Sequence, residues 1–104
     1  MHDQLICEAI KQHRQLRFRY KDYYSTTVVE PYVFGVNDAE HRALRAWLIA
    51  GATHSDTRSR WRMYLASEMK DVQILDDVFE ASRPGFTSFD HGFRRILCKV
   101  SAER

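Results

Sequence analysis

The sequence predicts a mainly β fold with one N-terminal α-helix, its short antiparallel strands, about five in number, curling into a small barrel. Three observations predict it. Apolar residues recur at helical spacing only near the start of the chain, and from Leu16 onward they alternate with a period of two. Between the later apolar runs lie only loops, so no crossover helix is present to join parallel strands.

The helix is placed at residues 3 to 15. Leu5, Ile6, Ala9, Ile10 and His13 share one face, and Asp3 is the plausible N-cap. So short a helix is marginal alone and must dock on the strands. In the first strand Leu16, Phe18 and Tyr20 alternate with Arg17, Arg19 and Lys21, which gives a half-buried strand with a basic outer face. Residues 21 to 26 form a turn. The β-branched and aromatic run TVVEPYVFGV, 27 to 36, is broken by Pro31, which has no amide for a central ladder and marks a bulge, a bend or an edge. Glu30 is placed to hydrogen-bond that bend. ALRAWLIA, 43 to 50, is the third strand, and residues 51 to 60 read as a surface loop. Trp61, Met63 and Leu65 alternate with Arg62 and Tyr64 in a fourth. After a polar kink at Ser67 and Glu68 come VQIL, 72 to 75, a long loop at 76 to 92, and FRRILCKV, 93 to 100. A sheet this small must curl to bury one face and hide its edges, so a five-stranded SH3- or Sm-like barrel plugged by the helix is expected over about 16 to 100. The 104 residues read as one domain, without internal repeats.

Composition excludes several classes. Hydrophobic residues make up 44% of the chain, enough for one modest core, and six Phe, five Tyr and two Trp argue against disorder. A net charge of +2 is too small to argue for nucleic acid by itself. The charged start is unlike a signal peptide, and no apolar run approaches the roughly 20 residues that span a bilayer. A cytoplasmic protein is expected, with no membrane partner. Cys7 and Cys98 read as two buried thiols of a reducing compartment, with a disulfide between them as the alternative.

No enzyme chemistry is expected. His2, His13, His41, His54 and His91 are scattered without metal-ligand spacing. His54, Ser55 and Asp56 are loop neighbours and a poor geometry for nucleophile and base. Gly35, Gly51, Gly85 and Gly92 are isolated, so no phosphate loop and no cofactor motif are present.

The strings LICEAIKQHRQLRFRY, VVEPYVFGV, LRAWLIAG, WRMYLASEMKDVQILDDVF and RPGF, in that order, carry a family resemblance. The most specific are Val29-Glu30-Pro31-Tyr32, Leu48-Ile49-Ala50-Gly51, and Trp61-Arg62 followed by Phe79 and Arg83-Pro84-Gly85-Phe86. Together they resemble the WYL-domain family, nearest its short free-standing members, over Leu5 to Val100. The resemblance implies an Sm-like barrel that senses a ligand. In larger relatives it accompanies a DNA-binding helix-turn-helix, serves transcription regulation, and is thought to bind nucleic acid or nucleotide-like ligands through aromatic and basic side chains. This sequence departs from the pattern. The family's Trp-Tyr-Leu triplet falls on Ala46-Trp47-Leu48, and two arginines of its basic strand are replaced at Leu65 and Glu68. A phosphate site built on those arginines is expected to be weak or absent here.

Cations beside rings remain. Arg45 and Trp47 stand at i and i+2, as do Arg62 and Tyr64 on the next strand, and two such pairs would make one patch suited to phosphates and stacked bases. Arg17, Arg19, Arg94 and Arg95 are further basic positions. The candidate ligand-binding set is Arg45, Trp47, Arg62, Tyr64, Arg94 and Tyr32. Against it stands the reading in which the rings are core and the arginines lie over them. If Leu44, Ala46 and Leu48 are core, Trp47 faces out and needs a cover; if Trp47 and Ile49 are core, Arg45 is at the rim. Arg83-Pro84-Gly85-Phe86 reads as a turn whose aromatic pins the loop, with His91 and Arg94 flanking a groove. The expected function is a non-catalytic module for a nucleotide or single-stranded nucleic acid. The alternative is a protein-interaction or homo-oligomer module working through strand edges.

Overall fold

The computed structural model describes residues 2–21, 26–51, 60–83 and 92–100. In chain order it has helix α1 (Asp3–Gln12) and strands β1 (Arg14–Tyr20), β2 (Thr26–Asn37), β3 (Arg42–Ala50) and β4 (Trp61–Leu65). A 3-10 turn at Ala66–Glu68, β5 (Met69–Val78) and β6 (Phe93–Lys99) complete it. The fold is mainly β with one helix. Its strands number six rather than five among the described residues, and the apolar run at 72–75 is the middle of the ten-residue β5.

All six strands pair antiparallel in one sheet, ordered β4-β3-β2-β1-β5, with β6 also on β2. The first half of β2 pairs with β1 (Leu16 opposite Val29) and its second half with β6 (Val33 opposite Lys99). Pro31 sits where β2 changes partner, between the end of the β1 ladder and the start of the β6 ladder, so its missing N–H costs no strand bond on that side. Opposite β3 the register shifts between Pro31 and Val33, which leaves Tyr32 as the extra residue of a bulge.

The end strands β4 and β5 do not pair with each other, so hydrogen bonds do not close the sheet. Yet only the three-residue turn separates them in sequence, which forces the two ends together at one corner. There the Leu65 N–H donates to the Tyr20 hydroxyl (2.9 Å) and the Lys21 N–H to the Glu68 carbonyl (2.8 Å).

Inside the curl, Leu16 and Phe18 of β1, Val29 and Phe34 of β2, and Leu44, Ala46 and Leu48 of β3 are buried against Ile6, Ala9 and Ile10 of α1. Period-two alternation and the helical stripe thus meet in one core. The helix is shorter than expected, because His13 takes the left-handed conformation (φ 55°, ψ 47°) and ends it after Gln12. Asp3 is not the N-cap. It is the first helical residue, and its carboxylate pairs with Arg42 at 2.9 Å instead.

The two-thiol expectation is corrected. Cys7 of α1 and Cys98 of β6 form a disulfide, with Cα atoms 5.7 Å apart across 91 residues of sequence. Docking α1 beside β6 creates that proximity, and spacing in the sequence gave no sign of it. The support that free thiols lent to a reducing compartment goes with them. No helix among the described residues is long and apolar enough to cross a membrane.

Candidate functional site

A short turn sets the register that builds the site. Between β2 and β3, the Asn37 carboxamide oxygen accepts from the Ala39 and His41 N–H groups (3.0 and 2.9 Å), while the Asn37 N–H donates to the His41 carbonyl. From that turn the ladder places Glu30 opposite Trp47, and the next ladder places Trp47 opposite Trp61. A second row, Val33–Arg45–Met63, lies alongside. Side chains of directly paired residues share a face, so both rows stand on the face away from Leu44, Ala46 and Leu48.

Trp47 therefore faces out of the core, and the chain itself provides its cover. Residues 79–83 fold back across this face. The Phe79 N–H donates to the His13 carbonyl (2.9 Å), and the Phe79 and His13 rings stack at 5.6 Å. Tyr32, fully buried, meets Trp61 edge-on at 4.9 Å and Phe79 at 5.4 Å, and Trp61 meets Trp47 edge-on at 5.4 Å. Edge-to-face geometry suits the ring quadrupoles. Burial raises the Tyr32 phenol above the ordinary tyrosine value, so it stays neutral, and its oxygen accepts the Arg83 backbone N–H at 3.3 Å.

Over this aromatic floor lies the chief electrostatic feature. Glu30 is 3% exposed, and its two carboxylate oxygens accept from Arg83 Nε and Nη2, each at 2.7 Å. That is the strong two-point geometry of guanidinium and carboxylate. The hydrogen bond to Glu30 raises the Arg83 pKa further, so the guanidinium is charged at every accessible pH. Its central carbon sits 5.2 Å from the Trp47 ring centroid, a cation–π contact. Glu30 thus does not bond the bend at Pro31. It anchors the returning chain.

The expected single patch of two cation–ring pairs is corrected by the β3–β4 register. Arg45 lies opposite Met63, and Ala46 opposite Arg62, so Arg62 and Tyr64 project from the other face. Tyr64 is core, edge-on to Phe18 (5.1 Å) and Tyr20 (5.0 Å), and Arg62 donates to the Trp61 carbonyl at 2.9 Å. Arg94 is also elsewhere, at the opposite end of the β2–β3 hairpin, where it pairs with Glu40. Of the predicted set, Arg45, Trp47 and Tyr32 come together and Arg62, Tyr64 and Arg94 do not. Trp61, Arg83 and Glu30 join the site without having been named for it. The alternation of β4 already put Trp61 with Met63; what it lacked was the register against β3.

Other clefts lie apart. One is lined by His2, Asp3, Glu40 and Arg42, another by Val36, Arg42, Arg94 and Arg95, a third by Leu5, Arg17 and Ile74. Among the described residues no group of three or more His, Cys, Asp or Glu side chains could hold a metal. His54, Ser55 and Asp56, Pro84 to Phe86, and His91 lie outside the described residues. Fold and site together define a small mainly-β protein with one helix packed on its sheet and a guanidinium fixed over an aromatic floor. Compared with protein-family models, curated proteins and solved structures, the chain matches none.

Proposed function

We propose that this chain is a non-catalytic ligand-binding module of the WYL-like kind, its sheet an incompletely hydrogen-bonded Sm-like barrel, and that its ligand is a nucleotide or single-stranded nucleic acid. The observation that carries the reading is the grouping of Arg45, Trp47, Trp61 and Arg83 on one face of β2–β3–β4. Half-buried indoles offer stacking surface, and cations beside them suit phosphates. The strings that suggested the family also meet in space, since Glu30 of the Val29–Tyr32 string binds Arg83. Titrating tryptophan fluorescence with short oligonucleotides at two salt concentrations tests the reading. A saturable response that weakens at higher salt is expected; none, or one indifferent to salt, contradicts it.

A second reading has its own observation. Among the described residues β4, β5 and β6 each pair on one side only, and Ile96 and Leu97 of β6 are 39% and 43% exposed. Open edges with apolar residues suit pairing with another copy or another protein. Light scattering decides this one, because a monomer at high concentration removes the homo-oligomer.

A further inference from the structure

We infer that Arg83 is the phosphate receptor of this face, taking two phosphate oxygens on the Nη1/Nη2 edge of its guanidinium while Glu30 holds the other edge from behind. The inference rests on the nucleotide reading for its biological ligand, but its chemistry stands on the geometry of the pair.

A guanidinium carries five N–H donors in a rigid plane. Glu30 occupies the Nε–H and one hydrogen of Nη2. Two hydrogens on Nη1 and one on Nη2 are left, and among the described residues no group takes them. The exposure of the two partners is unequal, 4% for the Glu30 side chain and 38% for that of Arg83. The carboxylate is shut away and the guanidinium's outer edge stays in water. Pinning residues 79–83 requires neither that open edge nor those unused donors. Two contacts keep the edge fixed: the paired carboxylate sets the plane, and Trp47 covers one of its faces. An arginine so held loses little side-chain freedom when an anion arrives, so more of the binding energy is retained. The edge presents two parallel N–H groups, which match two oxygens of a phosphate ester, where a lysine offers only a point charge. Arg45 lies on the same face. Glu30 is a positioning residue in this scheme and touches no ligand.

The test follows the Arg83 Nε–H resonance in ¹⁵N-labelled protein. Sodium phosphate is titrated against sodium chloride at matched ionic strength, and adenosine 5′-monophosphate against adenosine. Phosphate and the monophosphate are expected to shift the resonance saturably, with chloride and adenosine leaving it in place. Arg83→Lys keeps a cation for Glu30 but lacks the fork, and should weaken monophosphate binding roughly tenfold, the equivalent of one charge-assisted hydrogen bond. Glu30→Gln, checked as folded by near-UV circular dichroism, should weaken it too. No phosphate-specific shift at Arg83, or unchanged affinity in Arg83→Lys, overturns the receptor. The two proposals fail separately. A phosphate shift at Arg83 with no oligonucleotide response leaves the receptor and removes the nucleic-acid reading; an oligonucleotide response with Arg83 unmoved does the reverse.

Discussion

Burial carries the Tyr64 phenol to a pKa of about 12, with its ring 7% exposed between Phe18 and Tyr20. In the unfolded chain the same group ionises near 10. Between those values the unfolded state gives up a proton that the folded state keeps, so folding stability is whole below about pH 10 and falls as pH rises toward 12. The loss belonging to Tyr64 is on the order of 2–3 kcal/mol. Urea denaturation at steps from pH 9 to pH 11.5 should show the decline, and Tyr64→Phe should flatten it; an equal slope in the variant contradicts the burial of this ring. Gly35 is sensitive for another reason. A Cβ built there would lie 2.2 Å from the Arg95 carbonyl oxygen and 2.9 Å from the Ile96 Cα, both backbone atoms of β6. Gly35→Ala must therefore push β6 off β2, at a cost of about 1–3 kcal/mol. Faster amide exchange along β6 with a lowered denaturation midpoint is expected, and wild-type behaviour argues against that close approach. At this scale the sequence was only half legible. Period-two spacing correctly paired Arg45 with Trp47, but joining them to Arg62 and Tyr64 needed a register that the ten residues between β3 and β4 leave open, and a one-residue difference exchanges the faces.

Among the elements, β6 is the one most dependent on a single bond. Among the described residues it pairs only with β2, five of its seven residues (Arg94 to Leu97 and Lys99) are exposed, and Cys98 ties it to Cys7 of α1. The helix has its own anchors in Ile6, Ala9 and Ile10, each at most 1% exposed. Reduction of the disulfide should therefore free β6 before α1 and lower stability by about 2–5 kcal/mol, the range for removing such a bond. Thermal melts with and without a thiol reductant, with exchange at β6 amides, measure this; an unchanged melt contradicts the role given to the bond. β1 and β3 were legible because they alternate buried and more exposed residues around one core, and β2 because it is a continuous β-branched and aromatic run, while β5 was read only at its apolar middle. The disulfide was not, because contact between residues 7 and 98 arises only after the sheet has curled and α1 has docked.

For the whole molecule, one helix and antiparallel pairing followed from patterning and from the lack of crossover helices, whereas the sheet is not closed by hydrogen bonds as the expected barrel would be. The missing hydrogen bonds between β4 and β5 did not follow from patterning, since closure depends on the geometry at the Ala66–Glu68 corner. The site was hidden for a related reason. Glu30 and Arg83 are 53 residues apart in sequence and meet only when residues 79–83 return over β2–β3–β4. The most direct measurement is a map of backbone amide shifts on adding a short single-stranded oligonucleotide. Perturbations should cluster at Arg45, Trp47, Trp61 and Arg83. Shifts confined to the β5 and β6 edges, or no shifts at all, would contradict the assignment of this face as the ligand surface.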